Sequence, residues 1–152
     1  MKTEIIILVQ LDRKIKMLRK TENMTIPSSG WIFAIRRALG MSLRQLGLRM
    51  DITPQSVKEM EDREKNGTIS LNVLREFGKS MDMKLVYGFI PKQKSLEKLV
   101  EERAVRLAEE IVKRTSTNME LEDQKLGPEL IKKAIKEKAV ELKQEMPKFL
   151  WD

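Results

Sequence analysis

A mostly α-helical protein is predicted: a helix-turn-helix bundle, one short β-strand and a C-terminal helical extension. Three observations predict it. Apolar residues recur at three- and four-residue spacing through most of the chain. Aromatic residues make up only 5% of it against a normal 41% of apolar residues. One run, Lys84-Leu85-Val86-Tyr87-Gly88-Phe89-Ile90-Pro91, is apolar, β-branched and aromatic, is closed by proline, and reads as a strand. The segments divide at residues 1–29 (N-terminal helical arm), 30–91 (helix-turn-helix with its closing strand) and 92–152 (C-terminal partner-binding helices).

The arm begins with Ile5-Ile6-Ile7-Leu8-Val9, too short a run for a membrane span or a signal-peptide core. Leu8, Leu11, Ile15 and Leu18 share one helix face, so residues 5–20 read as helix, with 4–9 open to a strand start. Its other side carries Arg13, Lys14, Lys16, Arg19 and Lys20, either contacting a nucleic-acid backbone or simply solvated. Pro27-Ser28-Ser29-Gly30 is a loop. A helix follows over residues 31–39, with Ile32, Ile35 and Leu39 inward, Arg36 and Arg37 leaving its far end, and Gly40 stopping it.

The centre of the chain is residues 41–61. Ser42 caps a helix whose apolar side chains are Leu43, Leu46 and Met50, and Asp51-Ile52 interrupts the pattern. Thr53 caps a second helix with Pro54 at its first position, Val57 and Met60 inward, and Gln55, Ser56, Lys58 and Glu59 outward. Gly47 in mid-helix costs about 1 kcal/mol of propensity, which a close crossing of the second helix would explain. Two short helices, a tight turn, and amide, hydroxyl and cationic groups at the start of the second predict a DNA-reading helix-turn-helix; a plain helical hairpin is the alternative. After Asn66-Gly67, Ser70 caps a fourth short helix with Leu71, Leu74, Phe77 and Met81 on one face.

A lone strand must pair its backbone. Either residues 4–9 pair with it, or Leu85, Val86, Tyr87 and Phe89 meet the same strand of a second copy, making a two-fold homodimer. Ser95 then caps a helix to about residue 115, Ser116–Asn118 breaks it, and residues 119–126 form a further turn or two. Gly127-Pro128 precedes a last helix over 129–145, and Phe149-Leu150-Trp151 closes the chain, docked on a core.

Charge and chemistry narrow the function classes. The chain has neither Cys nor His, so zinc fingers, thiol nucleophiles and His-based sites are excluded, and no metal or cofactor is expected. Residues 1–94 hold 18 Lys/Arg against 10 Asp/Glu, and residues 95–152 hold 12 against 13. A basic front fits contact with phosphates and a near-neutral back fits contact with protein. The Glu-rich helices interleave acids with Lys/Arg opposite the apolar stripe, so no enzyme is expected. A cytoplasmic protein without membrane association is the resulting expectation.

Residues 30–83 resemble the lambda-repressor-like, or Xre, helix-turn-helix family. Further likeness lies in Gly30-Trp31-Ile32, Ala38-Leu39-Gly40-Met41-Ser42-Leu43-Arg44-Gln45-Leu46, Gly67-Thr68-Ile69-Ser70-Leu71, Leu85-Val86-Tyr87, Val100-Glu101-Glu102-Arg103-Ala104, Leu121-Glu122-Asp123-Gln124 and Leu150-Trp151-Asp152. Together they resemble the family called mobile mystery protein A over nearly the whole chain. Members are similar to bacterial antitoxins encoded beside a Fic-domain partner, which transfers AMP from ATP to a protein hydroxyl. The resemblance implies a DNA-binding antitoxin that restrains a Fic toxin and represses its own operon. A stand-alone repressor, whose C-terminal helices dimerise or bind an effector, is the alternative.

The resemblance places base reading on Thr53, Pro54, Gln55, Ser56 and Lys58. Gln55 suits an adenine edge, and Pro54 at most a thymine methyl. Gln45 is the implied phosphate clamp, with Ser42 and Arg44 beside it. Fic inhibition resembles a separate motif, Ser or Thr, three residues, then Glu before Gly or Asn. Two partial matches occur: Asn118 with Glu122, and Ser116 with Glu120.

Overall fold

In the computed structural model, which describes residues 2–121 and 127–152, seven α-helices account for most of the chain. They are α1 (Thr3–Leu18), α2 (Trp31–Ala38), α3 (Leu43–Met50), α4 (Pro54–Asn66), α5 (Leu71–Ser80), α6 (Leu96–Leu121) and α7 (Pro128–Glu145). The chain divides into two compact units, Asn23–Tyr87 and Met1–Glu22 with Gly88–Asp152. The N-terminal arm thus belongs to the same unit as the C-terminal helices.

The unit Asn23–Tyr87 is four short helices around Ile32, Leu46, Val57, Phe77 and Met81. Local chemistry starts three of them. Ser42, Thr53 and Ser70 accept a hydrogen bond from the backbone N–H three residues on, and α3 has a full capping box with Gln45. α2 begins at Gly30, whose φ of +89° suits glycine, and its cap comes from another helix. The Glu64 carboxylate of α4 accepts from Trp31 N–H and Ile32 N–H, each at 2.8 Å. Leu39 and Leu71, read as inward, are exposed; Val73 takes the place of Leu71 at the core. Both excluded residues lie at helix ends, where the chain turns away from the bundle.

The strand read over residues 84–91 does not form within the chain. Residues 83–91 carry no regular element, and its intrachain candidate, residues 4–9, is helical within α1. Among the described residues, no backbone group of residues 84–90 bonds another backbone group. A ladder needs a second strand, and a helix cannot supply one.

In the other unit α6 and α7 pack around Val100, Ala104, Ala108, Ala139, Leu142 and Leu150, with Leu8 of α1 against them. Ala104 and Ala108 are both fully buried one turn apart, which lets a neighbour approach closely. Asp12 of α1 caps α6: its carboxylate accepts from Leu96 N–H at 2.7 Å and Glu97 N–H at 3.1 Å. Arg19 donates to the carbonyls of Pro91 at 3.1 Å and Gln93 at 2.8 Å, tying the segment before α6 to the end of α1. Arg103 donates to the carbonyls of Leu150 and Asp152, holding buried Leu150 in place, while Trp151 stays exposed.

The break expected at Ser116–Asn118 is absent, and α6 runs on to Leu121. Thr115 and Thr117 hydroxyls donate to the carbonyls of Ile111 and Lys113, at 3.1 and 2.9 Å. Their hydrogen bonds turn inward along the helix instead of competing with it.

Candidate nucleic-acid interface

The candidate interface is built on the starts of α3 and α4. Ser42 and Gln45 engage each other reciprocally. Gln45 N–H donates to Ser42 Oγ at 3.0 Å, and Gln45 Oε1 accepts from Ser42 N–H at 2.8 Å. The Gln45 carbonyl oxygen is thereby occupied, which leaves its NH₂ as the outward donor. Arg44, next to it, is exposed, and among the described residues its guanidinium has no ion-pair partner.

Between the helices the chain turns at Asp51, whose φ of 58° and ψ of 42° are left-handed, a conformation a short polar side chain tolerates. Ile52 N–H then donates to Gly47 O at 2.9 Å. A Cβ on Gly47 would lie 2.6 Å from Ile52 O and 3.4 Å from Thr53 C. The start of α4 therefore rests on Gly47, the close crossing that the glycine predicted.

At that start, Thr53 Oγ1 accepts from Ser56 N–H at 3.1 Å and donates to Ser56 Oγ at 3.0 Å. Both hydroxyls are partly committed to the cap. Pro54 is half-buried, and Gln55 is exposed with no hydrogen bond within the protein among the described residues. A bidentate amide at the second position of a capped helix has the chemistry for an adenine edge.

Lys58 is held by Asp62 at 2.8 Å, both side chains exposed. The hydrogen bond to Asp62, and then its charge, raise the Lys58 pKa above its ordinary value. Arg63 pairs likewise with Glu59 at 2.8 Å.

Beneath this surface lies a pair that sequence reasoning missed. Arg36, expected to leave the end of α2, is buried. Its Nε and Nη2 donate to the Glu61 carboxylate at 2.9 and 3.0 Å, and its Nη1 donates to Met41 O at 2.9 Å. The two side chains are 7% and 2% exposed, so this is a dry fork-to-fork pair joining α2, α4 and the entry to α3. Arg36 also lies over the Phe33 ring, at 5.3 Å. A signal existed: Arg36 follows Ile32 by four, and Glu61 follows Val57 by four, which puts each on its helix's buried face.

Of the residues read for dimerisation, Leu85 is half-buried, whereas Val86, Tyr87 and Phe89 are 72%, 58% and 88% exposed. Tyr87 accepts from Arg75 at 3.2 Å and lies beneath its guanidinium. Of those read for Fic inhibition, Ser116 is half-buried and Asn118 exposed on α6, and Glu120 lies in the last helical turn of α6. Glu122 lies outside the described residues. Among the described residues, no group of acidic side chains is arranged to hold a metal ion, and no helix is long and apolar enough to cross a membrane.

Compared with known proteins, the chain matches no family model, no curated protein and no solved structure.

Proposed function

We propose that the chain is a DNA-binding regulator of the lambda-repressor-like type, reading double-stranded operator DNA with α4. The observation that carries this reading is the seating of α4 on Gly47, which presents Gln55 from a capped helix start beside a turn. Arg44 and the Gln45 NH₂, at the start of α3, supply phosphate contacts.

Gln55→Ala is expected to weaken the cognate duplex by about 1–3 kcal/mol and to relax preference at one base position. Arg44→Ala is expected to weaken every duplex alike and to flatten the salt dependence. Fluorescence anisotropy on the chain's own upstream region and on a scrambled duplex separates them. Discrimination untouched by Gln55→Ala would remove α4 from base reading.

Two copies bind, in this proposal, through residues 84–89. Their unpaired backbone and exposed Val86, Tyr87 and Phe89 suit antiparallel addition of the same segment from a second copy. Sedimentation of the intact chain at a single-chain mass, at concentrations that saturate DNA, would count against it.

The resemblance to mobile mystery protein A extends the proposal to an antitoxin whose partner is a Fic-domain toxin. Co-expression with the product of the adjacent gene should yield a complex silent in AMP transfer, regaining activity on Glu122→Gly. Recovery of the regulator alone would leave a stand-alone repressor.

A further inference from the structure

Residues 13–20, Arg-Lys-Ile-Lys-Met-Leu-Arg-Lys, hold five cations and no acid, and Lys92 and Lys94 precede α6. Arg13 and Lys16 of α1 and Arg19, just past its end, line one depression with Lys94. Arg13, Lys14, Lys16, Lys20 and Lys94 are exposed. The acids nearby are already engaged. Asp12 gives both oxygens to the backbone N–H groups of α6. Glu22 meets Arg19 at 3.4 Å, and Glu97 meets Lys143 at 3.1 Å. Among the described residues, Arg13, Lys14, Lys16, Lys20 and Lys94 enter no ion pair. Arg13 and Lys16, like charges three residues apart on α1, repel each other, and Lys20 adds a further cation just past the helix end.

The helix proposed to read bases has the opposite balance. α4 holds Lys58, Arg63 and Lys65 against Glu59, Glu61, Asp62 and Glu64, and Lys58 and Arg63 are paired within it. It brings no net positive charge to a polyanion, whereas affinity for duplex DNA comes mainly from phosphates neutralised by Lys and Arg.

We infer that the second half of α1 and the turn that follows it, with Lys94, form a second DNA-contacting surface that binds the phosphate backbone without reading sequence. The inference rests on the DNA-binding reading above. A membrane surface fits less well. Of the exposed apolar residues of α1, Ile6, Ile7, Val9 and Leu11 precede the cations along the helix and Met17 alone lies among them, whereas an interfacial helix needs an apolar face along its length.

The test is the triple variant Arg13→Gln, Lys16→Gln, Lys20→Gln in the full chain. Binding is followed by anisotropy on the cognate duplex and on an unrelated duplex of equal length, across a salt series. The slope of log K against log salt should become shallower by about 2–3 on both duplexes, at about 0.9 for each phosphate no longer neutralised. Their affinity ratio should stay unchanged. Lys132→Gln with Lys136→Gln, on the exposed face of α7, controls for net charge and should move the slope by less than half as much. A circular-dichroism melt shows that each variant is folded. An unchanged slope in the folded triple variant overturns the inference even where Gln55→Ala abolishes discrimination. A shallower slope with discrimination indifferent to Gln55→Ala supports it while the α4 reading fails. If the triple variant keeps full DNA binding but loses affinity for polyglutamate, the surface is for an acidic protein and the inference is overturned.

Discussion

Glu61→Leu is expected to cost the unit Asn23–Tyr87 about 3–5 kcal/mol, the range for breaking a buried ion pair by removing one partner. The Arg36 guanidinium would be left with a single carbonyl acceptor, Met41 O, in a site 7% exposed. It cannot shed its proton, so it must stay charged and dry or drag α2 away from α4. Arg36→Met should cost a similar amount, because Glu61 is 2% exposed and would lose the cation it faces. The double replacement Arg36→Met with Glu61→Leu should cost far less than the sum, since two apolar side chains of like volume need no partner. Urea denaturation of the four proteins gives the coupling directly. Additive losses would mean that the pair is not a unit and that each residue acts through packing alone.

Gly47→Ala has the next largest expected effect on the fold. Alanine in a helix interior normally gains about 1 kcal/mol over glycine. Here its Cβ would stand 2.6 Å from Ile52 O, and the obstructing atom is backbone, which cannot rotate away. Overpacking of this kind costs about 1–3 kcal/mol, with a backbone obstruction at the upper end, so a net loss is expected where propensity predicts a gain. Relief requires the start of α4 to shift, carrying Thr53 and Gln55 with it. DNA affinity should therefore fall by more than the stability loss accounts for at temperatures where the variant is fully folded. Thermal melts and anisotropy on one preparation measure both. A more stable Gly47→Ala variant with intact binding would remove the close approach as the reason for glycine.

The starts of the helices were legible because caps are local. Ser42, Thr53, Ser70 and Ser95 each announce a helix through a hydroxyl that reaches a backbone N–H three residues away, and all four do so. The same locality explains the misses. Ser116–Asn118 reads as a helix break, yet whether a hydroxyl competes with a helix or folds onto it, as those of Thr115 and Thr117 do, depends on the conformation already adopted. Residues 84–91 have the composition of a strand, but a strand is a property of two segments.

Helix periodicity, capping and the crowding implied by Gly47 follow from interactions within about four residues, and so the order α1 to α7 and the α3–turn–α4 unit are properties of the sequence alone. That Arg36 is buried and Arg37 exposed, that Glu64 caps α2 from α4, and that Asp12 caps α6 from α1 came only with the assembled fold. Each of these pairings satisfies a charged group with a partner at least 25 residues away. In the chain these are polar residues among others; in the fold Arg36 and Glu61 are the pair whose desolvation must be matched, because a dry charge without its counterpart costs more than most single interactions return.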